Sequence, residues 1–266
     1  MTDSKSNQTM PSLFVGHGSP MNIIDDNRFT QNMSQLGALF DESIFEKPSG
    51  ILSVSAHWMT DGTQITKSEK PKQVYDFGGF PKELYQIKYE PKGAPELVDQ
   101  IIKNDHFHGT PEWGLDHGTW AVLHHMFPKQ DIPVFQVSMN RNFNVGQHLE
   151  LARELKHLSN QNILCLGSGN IVHNLRQIQW DPNAPAHSWA TDFERLVLET
   201  VCDVNLVAEQ KLEKIFGSNL LNIAHPTIEH LLPLVYMLGT ADEAKAPKIS
   251  IEGIQNASVS MSSIIF

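Results

Sequence analysis

Three short apolar runs, each halted by glycine or histidine, constrain this chain more than any other feature. Ser12-Leu13-Phe14-Val15 stops at Gly16-His17-Gly18-Ser19-Pro20. Gly50-Ile51-Leu52-Ser53-Val54-Ser55 ends in Ala56-His57-Trp58. Asn162-Ile163-Leu164-Cys165-Leu166 runs into Gly167-Ser168-Gly169-Asn170, with His173-Asn174 just beyond. Runs of this length, bounded by turn residues, read as buried strands, and Pro133 to Ser138 reads as another. Helical character is expected for Glu96 to Ile102, for Gln147 to Leu158, for Ser188 to Val204 and for Val207 to Phe216. A last helix should start at Pro226, whose missing N–H is harmless at a first helical position, and end at Gly239. Buried strands separated by helices predict an α/β fold with a central, mostly parallel or mixed sheet flanked by helices. Alternation at Ile249, Ile251, Val259 and Met261 predicts half-exposed antiparallel strands at the C-terminal end. Residues 60 to 95, broken by six glycines and prolines from Gly78 to Pro95, predict a long irregular excursion. No linker divides the chain, so residues 11–266 are expected to form a single domain after a flexible polar segment, 1–10.

Composition excludes several classes of function. With 20 basic and 30 acidic side chains the formal charge is −10, the opposite of a nucleic-acid footprint. The most apolar stretch, Leu231 to Leu238, falls far short of the roughly 18 residues a membrane helix needs. The first ten residues hold no apolar block of the kind a secretion signal requires, which predicts a cytoplasmic protein. Cys165 and Cys202 form no CxxC pair, and free thiols in a reducing compartment are expected.

Familiar motifs fail. No GxxxxGK[ST] is present, and neither Gly16-His17-Gly18 nor Gly167-Ser168-Gly169 continues to the third glycine of a dinucleotide fingerprint. GxSxG and HExxH are absent, and His225 to His230 is one residue too long for HxxEH. What remains is 13 histidines without a His-rich tract. His17, His57 and His173 follow strands, where α/β sheets bind ligands, and His230 sits near the expected helix start. Imidazoles converging from several elements are what a mononuclear metal needs, and flanking glycine lets backbone approach closely. His225, just before Pro226, could cap the helix. His106, His108, His124, His125, His148, His157 and His187 fall in helical or surface-like contexts.

These motifs carry a resemblance. Gly16-His17-Gly18-Ser19-Pro20, Ser55-Ala56-His57-Trp58, Asp76-Phe77-Gly78-Gly79-Phe80-Pro81, Gly114-Leu115-Asp116-His117-Gly118-Thr119-Trp120, Gly167-Ser168-Gly169-Asn170 with His173-Asn174, and Glu229-His230 occur in that order. The chain thereby resembles the 4,5-DOPA extradiol dioxygenase family, class III ring-cleavage enzymes related to the protocatechuate 4,5-dioxygenase β chain, over nearly its whole length. The resemblance implies that His17, His57 and His230 bind one divalent metal, with His173 either a fourth ligand or an acid/base beside it. His117 and His173 are the implied catalytic acid/base residues, and a small catechol such as DOPA and molecular oxygen the implied reactants. Glu229 and His230 are neighbours that cannot both face one ion, and the DOPA branch favours His230. An all-imidazole set suits Zn(II), the ion expected on isolation, as well as Fe(II), the ion expected for dioxygenase turnover. Asp116 points to the other side of an extended segment from His117, so no orienting role is assigned to it. The aromatic loop from Tyr75 to Tyr89 reads either as a lid over a planar substrate or as a small satellite core. Two alternatives use the same histidines: a zinc-dependent hydrolase and a non-enzymatic metal-binding protein.

Overall fold

Why the apolar runs become a sheet is visible in how their residues divide between its two faces. A computed structural model describes residues 9–41, 44–101 and 105–266. In chain order the elements are β1 (Ser12–Gly16), α1 (Arg28–Ala38), β2 (Gly50–Thr60), β3 (Thr63–Thr66), α2 (Pro95–Ile101), β4 (Phe107–Thr110), α3 (His117–Met126), β5 (Val134–Asn140), α4 (Val145–Leu155) and β6 (Ile163–Gly169). There follow α5 (Ser188–Cys202), α6 (Ala208–Phe216), α7 (Leu221–Ala224), α8 (Leu232–Thr240), β7 (Lys248–Ile251), β8 (Ile254–Gln255), β9 (Val259–Ser260) and β10 (Ser263–Ile265). Phe14, Leu52, Val54 and Cys165 point into a core shared with α4, α5 and α8. Leu13, Val15, Ile51, Leu164 and Leu166 point the other way, into a core shared with α1 and α3. Both faces are covered, which is why these strands read as continuous apolar runs.

The main sheet has eight strands in the order β4-β3-β5-β2-β6-β1-β10-β7. Its centre is parallel: β2 pairs with β5 and β6, and β6 with β1. Antiparallel pairs flank it, β3 with β5 on one side and β1 with β10, then β7, on the other. The fold is thus the expected single-domain α/β arrangement with a mixed central sheet and antiparallel strands at the C-terminal end.

Local differences have local reasons. β3 and β4 lie in or beside the stretch expected to be irregular, and at four residues each they are too short to show periodicity. The last helix does not start at Pro226. His225 and Thr227 are extended, residues Ile228–His230 make a single 3-10 turn, and α8 begins at Leu232 with Pro233 in its first turn. The first-turn proline rule therefore applies to the second proline. The tail is more buried than expected: β10 lies inside the sheet, and Val259, Met261 and Ile264 are buried. Of the expected flexible segment, residues 1–8 lie outside the described residues, as does Ile102 of the expected helix; Met10 is buried.

Candidate metal centre

The carboxyl ends of β1, β2 and β6 lie side by side, and this adjacency assembles the histidines. His17 is the residue after β1, and its backbone N–H donates to Gly169 O at the end of β6 (3.1 Å). His57 lies within β2, where the register against β5 slips between Val54 and Met59. Such an irregularity re-aims side chains. Asn170 N–H donates to His230 O (2.8 Å), which holds the 3-10 turn against the end of β6. A Cβ on Gly169 would lie 2.3 Å from that same carbonyl, so only glycine permits the approach. His173 follows on the loop after β6, paired with Val259 in an isolated antiparallel bridge. His117 opens α3, whose N-cap is Asp116.

The rings meet closely. His17 Nε2 and His57 Nε2 are 3.2 Å apart. Ring centroids of His17, His57 and His230 form a near-equilateral triangle with sides of 5.0, 5.0 and 5.4 Å. His117 stands 4.1 Å from His57 and 5.6 Å from His17. His173 lies flat on His230, with centroids 3.5 Å apart and planes 8° from parallel. Among the described residues, two trios bring ligand atoms within 4.8 Å of one another: His17, His57 and His117, and His173, Glu229 and His230. The sequence-expected residues His17, His57, His117, His173 and His230 are therefore all brought together. His225 sits at the C-terminus of α7, its Nε2 bonded to Ile171 O (2.7 Å), and it packs behind the cluster.

Each inner ring is tethered by its far nitrogen. His17 Nδ1 is 3.0 Å from Ser168 Oγ, whose own proton goes to Gly118 O, so toward His17 this hydroxyl accepts. His57 Nδ1 lies 3.3 Å from Asp76 Oδ2, and His230 Nδ1 lies 3.3 Å from Glu229 Oε1. With their protons on Nδ1, facing these acceptors, the rings would present bare Nε2 atoms. Two bare lone pairs 3.2 Å apart would repel, and a cation between them would resolve the contact. Two nitrogens at zinc–imidazole distances subtend about 2.9 to 3.4 Å, a range that contains the observed value.

The electrostatics point the same way. Burial, reinforced by the neighbouring imidazoles, holds His17 and His230 well below the ordinary histidine range. Burial and His117 push His57 down to about 3, and burial with His225 pushes His173 to about 3. All four are neutral at pH 7, the state a metal ligand must have. Asp76 is opposed by burial, but hydrogen bonding and charge from His117 and then His57 outweigh it and hold the carboxyl low. Asp116 behaves differently. It is fully buried and accepts from Ser55 Oγ (2.7 Å), Gln136 Nε2 and Thr119 N, and burial pushes its carboxyl up to about 6. Its hydrogen-bond partners are Ser55, Thr119 and Gln136, and the His117 ring is not among them.

Sequence reasoning passed over Asp76 and Ser168 as functional groups, although both lie in quoted motifs. Their signal was present only as a polar residue between two glycines, Ser168, and one between two aromatic residues, Asp76. Of the two readings of the aromatic loop, the packing is that of the small satellite core. Tyr75, Phe77 and Phe80 pack on the core beneath α3, and Phe77 sets its ring against His117 at 5.4 Å. The other histidines stay outside the cluster. His148, in α4, is buried against Tyr236 Oη at 3.1 Å. Among the described residues no helix is long and apolar enough to cross a membrane.

Comparison with known proteins follows the geometry. Residues 11–266 match the family model described as the catalytic LigB subunit of aromatic ring-opening dioxygenase. The chain is 37% identical over 265 residues to a protein of Escherichia coli K12 named 4,5-DOPA dioxygenase extradiol, covering 97% of this chain and 95% of that protein. A protein of the same name from Beta vulgaris is 35% identical over 241 residues, with 87% of each chain covered. A crystal structure of an uncharacterized protein from Escherichia coli K12 superposes with a TM-score of 0.83 at 34% identity, covering 97% of this chain and 99% of that one.

Proposed function

The chain belongs to the family of catalytic LigB subunits of aromatic ring-opening dioxygenases, and from that membership we propose a metal-dependent enzyme that opens the ring of a catechol such as DOPA with molecular oxygen. The observation that carries the metal reading is the triangle of His17, His57 and His230, three neutral imidazoles tethered at Nδ1 with their Nε2 atoms left bare. These three would hold one divalent ion. When bound, the ion supplies the charge that acidifies a catechol hydroxyl and the site at which substrate and oxygen meet. Fe(II) suits turnover, and Zn(II) is the ion an imidazole set retains on isolation.

The remaining residues divide by geometry. His230 would be a ligand to the ion, and His173 is stacked face to face on that ring, 8° from parallel, rather than set beside it. His173 on this reading is an acid/base rather than a fourth ligand, neutral at pH 7 and able to take a proton from a hydroxyl placed beside it. His117 flanks His57 on the opposite side and serves as the second acid/base. Phe77 offers an apolar edge to a planar substrate next to His117. Free Cys165 and Cys202 accord with a reducing compartment, the cytoplasm.

The test is anaerobic loading with Fe(II) followed by an oxygen-electrode trace with L-DOPA and simple catechols. Oxygen uptake matched by a yellow ring-opened product is the expected result. Silence across the panel from protein shown to hold iron sinks the dioxygenase reading. Zinc-loaded protein that cleaves esters without oxygen would put the hydrolase in its place.

A further inference from the structure

Asp76, the acceptor beside His57 Nδ1, also reaches His117, and the functional reading leaves that second contact unused. Its side chain, 17% exposed, stands between imidazoles from two different elements: Oδ2 is 3.3 Å from His57 Nδ1 and Oδ1 is 3.0 Å from His117 Nδ1. Oδ1 also accepts the backbone N–H of His117 at 2.8 Å. The approach to His117 Nδ1 is oblique, and that buried nitrogen makes no hydrogen bond of its own among the described residues, which leaves the Asp76 carboxyl as the acceptor nearest to it. An ionised carboxylate only accepts hydrogen bonds, so its place beside these two nitrogens is favourable only when both carry a proton. A neutral imidazole has one proton, and both Nε2 atoms are then bare.

We propose that Asp76 is a positioning residue that fixes His57 and His117 together in the Nδ1-protonated tautomer, so that one carboxylate prepares a metal-binding nitrogen and a proton-accepting nitrogen at once. The assignment of those two tasks rests on the function proposed above; the tautomers themselves do not. Since Asp76 lies between Tyr75 and Phe77, the same carboxylate ties the aromatic loop to the start of α3.

Asp76→Asn separates the two effects, because an amide offers one accepting and one donating end. Its oxygen belongs beside His117, where a backbone N–H and Nδ1 both donate. The amide nitrogen then faces His57 Nδ1, which can receive it only by shifting its own proton to Nε2. Full-length metal-free protein titrated with Zn(II) alone at pH 7.5 should therefore bind about 10- to 100-fold more weakly in Asp76→Asn, the usual range for loss of a group behind a ligand. Asp76→Glu, which keeps the carboxylate, should recover most of that affinity. Long-range proton–nitrogen spectra of the wild-type protein should show Nδ1 protonated and Nε2 bare in both rings before metal is added. The proposal is overturned if either ring carries its proton on Nε2 in the wild type, or if folded Asp76→Asn binds Zn(II) within twofold of wild type. A wild-type protein that takes up no zinc refutes the metal reading instead, and the nitrogen spectra of that same sample still accept or reject the tautomers.

Discussion

Gly118 gives the sharpest test of how tightly α3 must approach β2. A Cβ built there would lie 2.5 Å from Ser55 Oγ, 3.0 Å from His57 Cδ2 and 3.3 Å from Asp116 Oδ1. Gly118→Ala must therefore push Ser55 off its 2.7 Å bond to Asp116 and crowd the His57 ring. Loss of a hydrogen bond to a carboxylate is worth about 1.5–3 kcal/mol, overpacking about 1–3 kcal/mol, and the gain in helix propensity at most about 1 kcal/mol. The net destabilisation should be about 2–4 kcal/mol, which in a chain of this size lowers Tm by roughly 4–7 °C. Gly146 is a matched control, since it too is the second residue of its helix, but a Cβ there meets only Asn144 Oδ1 at 3.3 Å. Gly146→Ala should leave Tm unchanged or slightly higher. Thermal unfolding of both variants, with zinc affinity measured alongside, is the assay. Equal Tm and equal zinc affinity for Gly118→Ala and wild type would refute the argument that this contact sets the position of His57.

Three further outcomes are expected. His230→Ala should lose bound zinc on elemental analysis, whereas His173→Ala should keep it and lose about 10²–10⁴-fold in catechol turnover; zinc loss in His173→Ala would return that residue to the ligand set. His148 and His225 are pushed down to about 4 by burial, and an unfolded histidine titrates near 6.5. Between those values only the unfolded chain takes up their protons, so stability is full above pH 6.5 and falls toward pH 4, each residue contributing about 1.4 kcal/mol per pH unit near pH 5; Asp116, raised to about 6, opposes this by one proton. A flat Tm from pH 6.5 to 5 in metal-free protein contradicts those burial effects. Zinc affinity should change less than about twofold from pH 7.5 to 6, because the ligands are already neutral, while three ordinary histidines would lose about 50-fold to proton competition over that range; a tenfold fall would show that the rings titrate normally.

The strands carrying His17, His57 and His173 were legible because both faces of the central sheet are covered, which leaves an unbroken apolar signature at β1, β2 and β6. β3, β4 and the internal place of β10 were not, since four residues or fewer hold no period and sheet order is set by packing far along the chain. His230 was assigned to the right neighbourhood for the wrong reason: its turn precedes the helix, because Pro233 rather than Pro226 occupies the first turn of α8. The second layer was silent. Ser168 and Asp76 stand 151 and 41 positions from the residues they tether through His17 Nδ1 and the His117 backbone, and no local pattern marks such a partner.

Burial explains why that second layer is needed. An exposed histidine finds water for both nitrogens and exchanges its proton between them freely. Buried among other imidazoles, a ring must place its one proton against a specific acceptor, or leave a polar atom unpaired at a cost of about 1–3 kcal/mol. Ser168, Asp76 and Glu229 supply acceptors on the outer side of His17, His57 and His230, and this forces every inner lone pair toward the same space. Lone pairs that meet in this way would repel, and a positive centre between them would relieve the repulsion. The carboxyl groups of Asp76 and Glu229 stand beside the rings, next to His57 Nδ1 and His230 Nδ1.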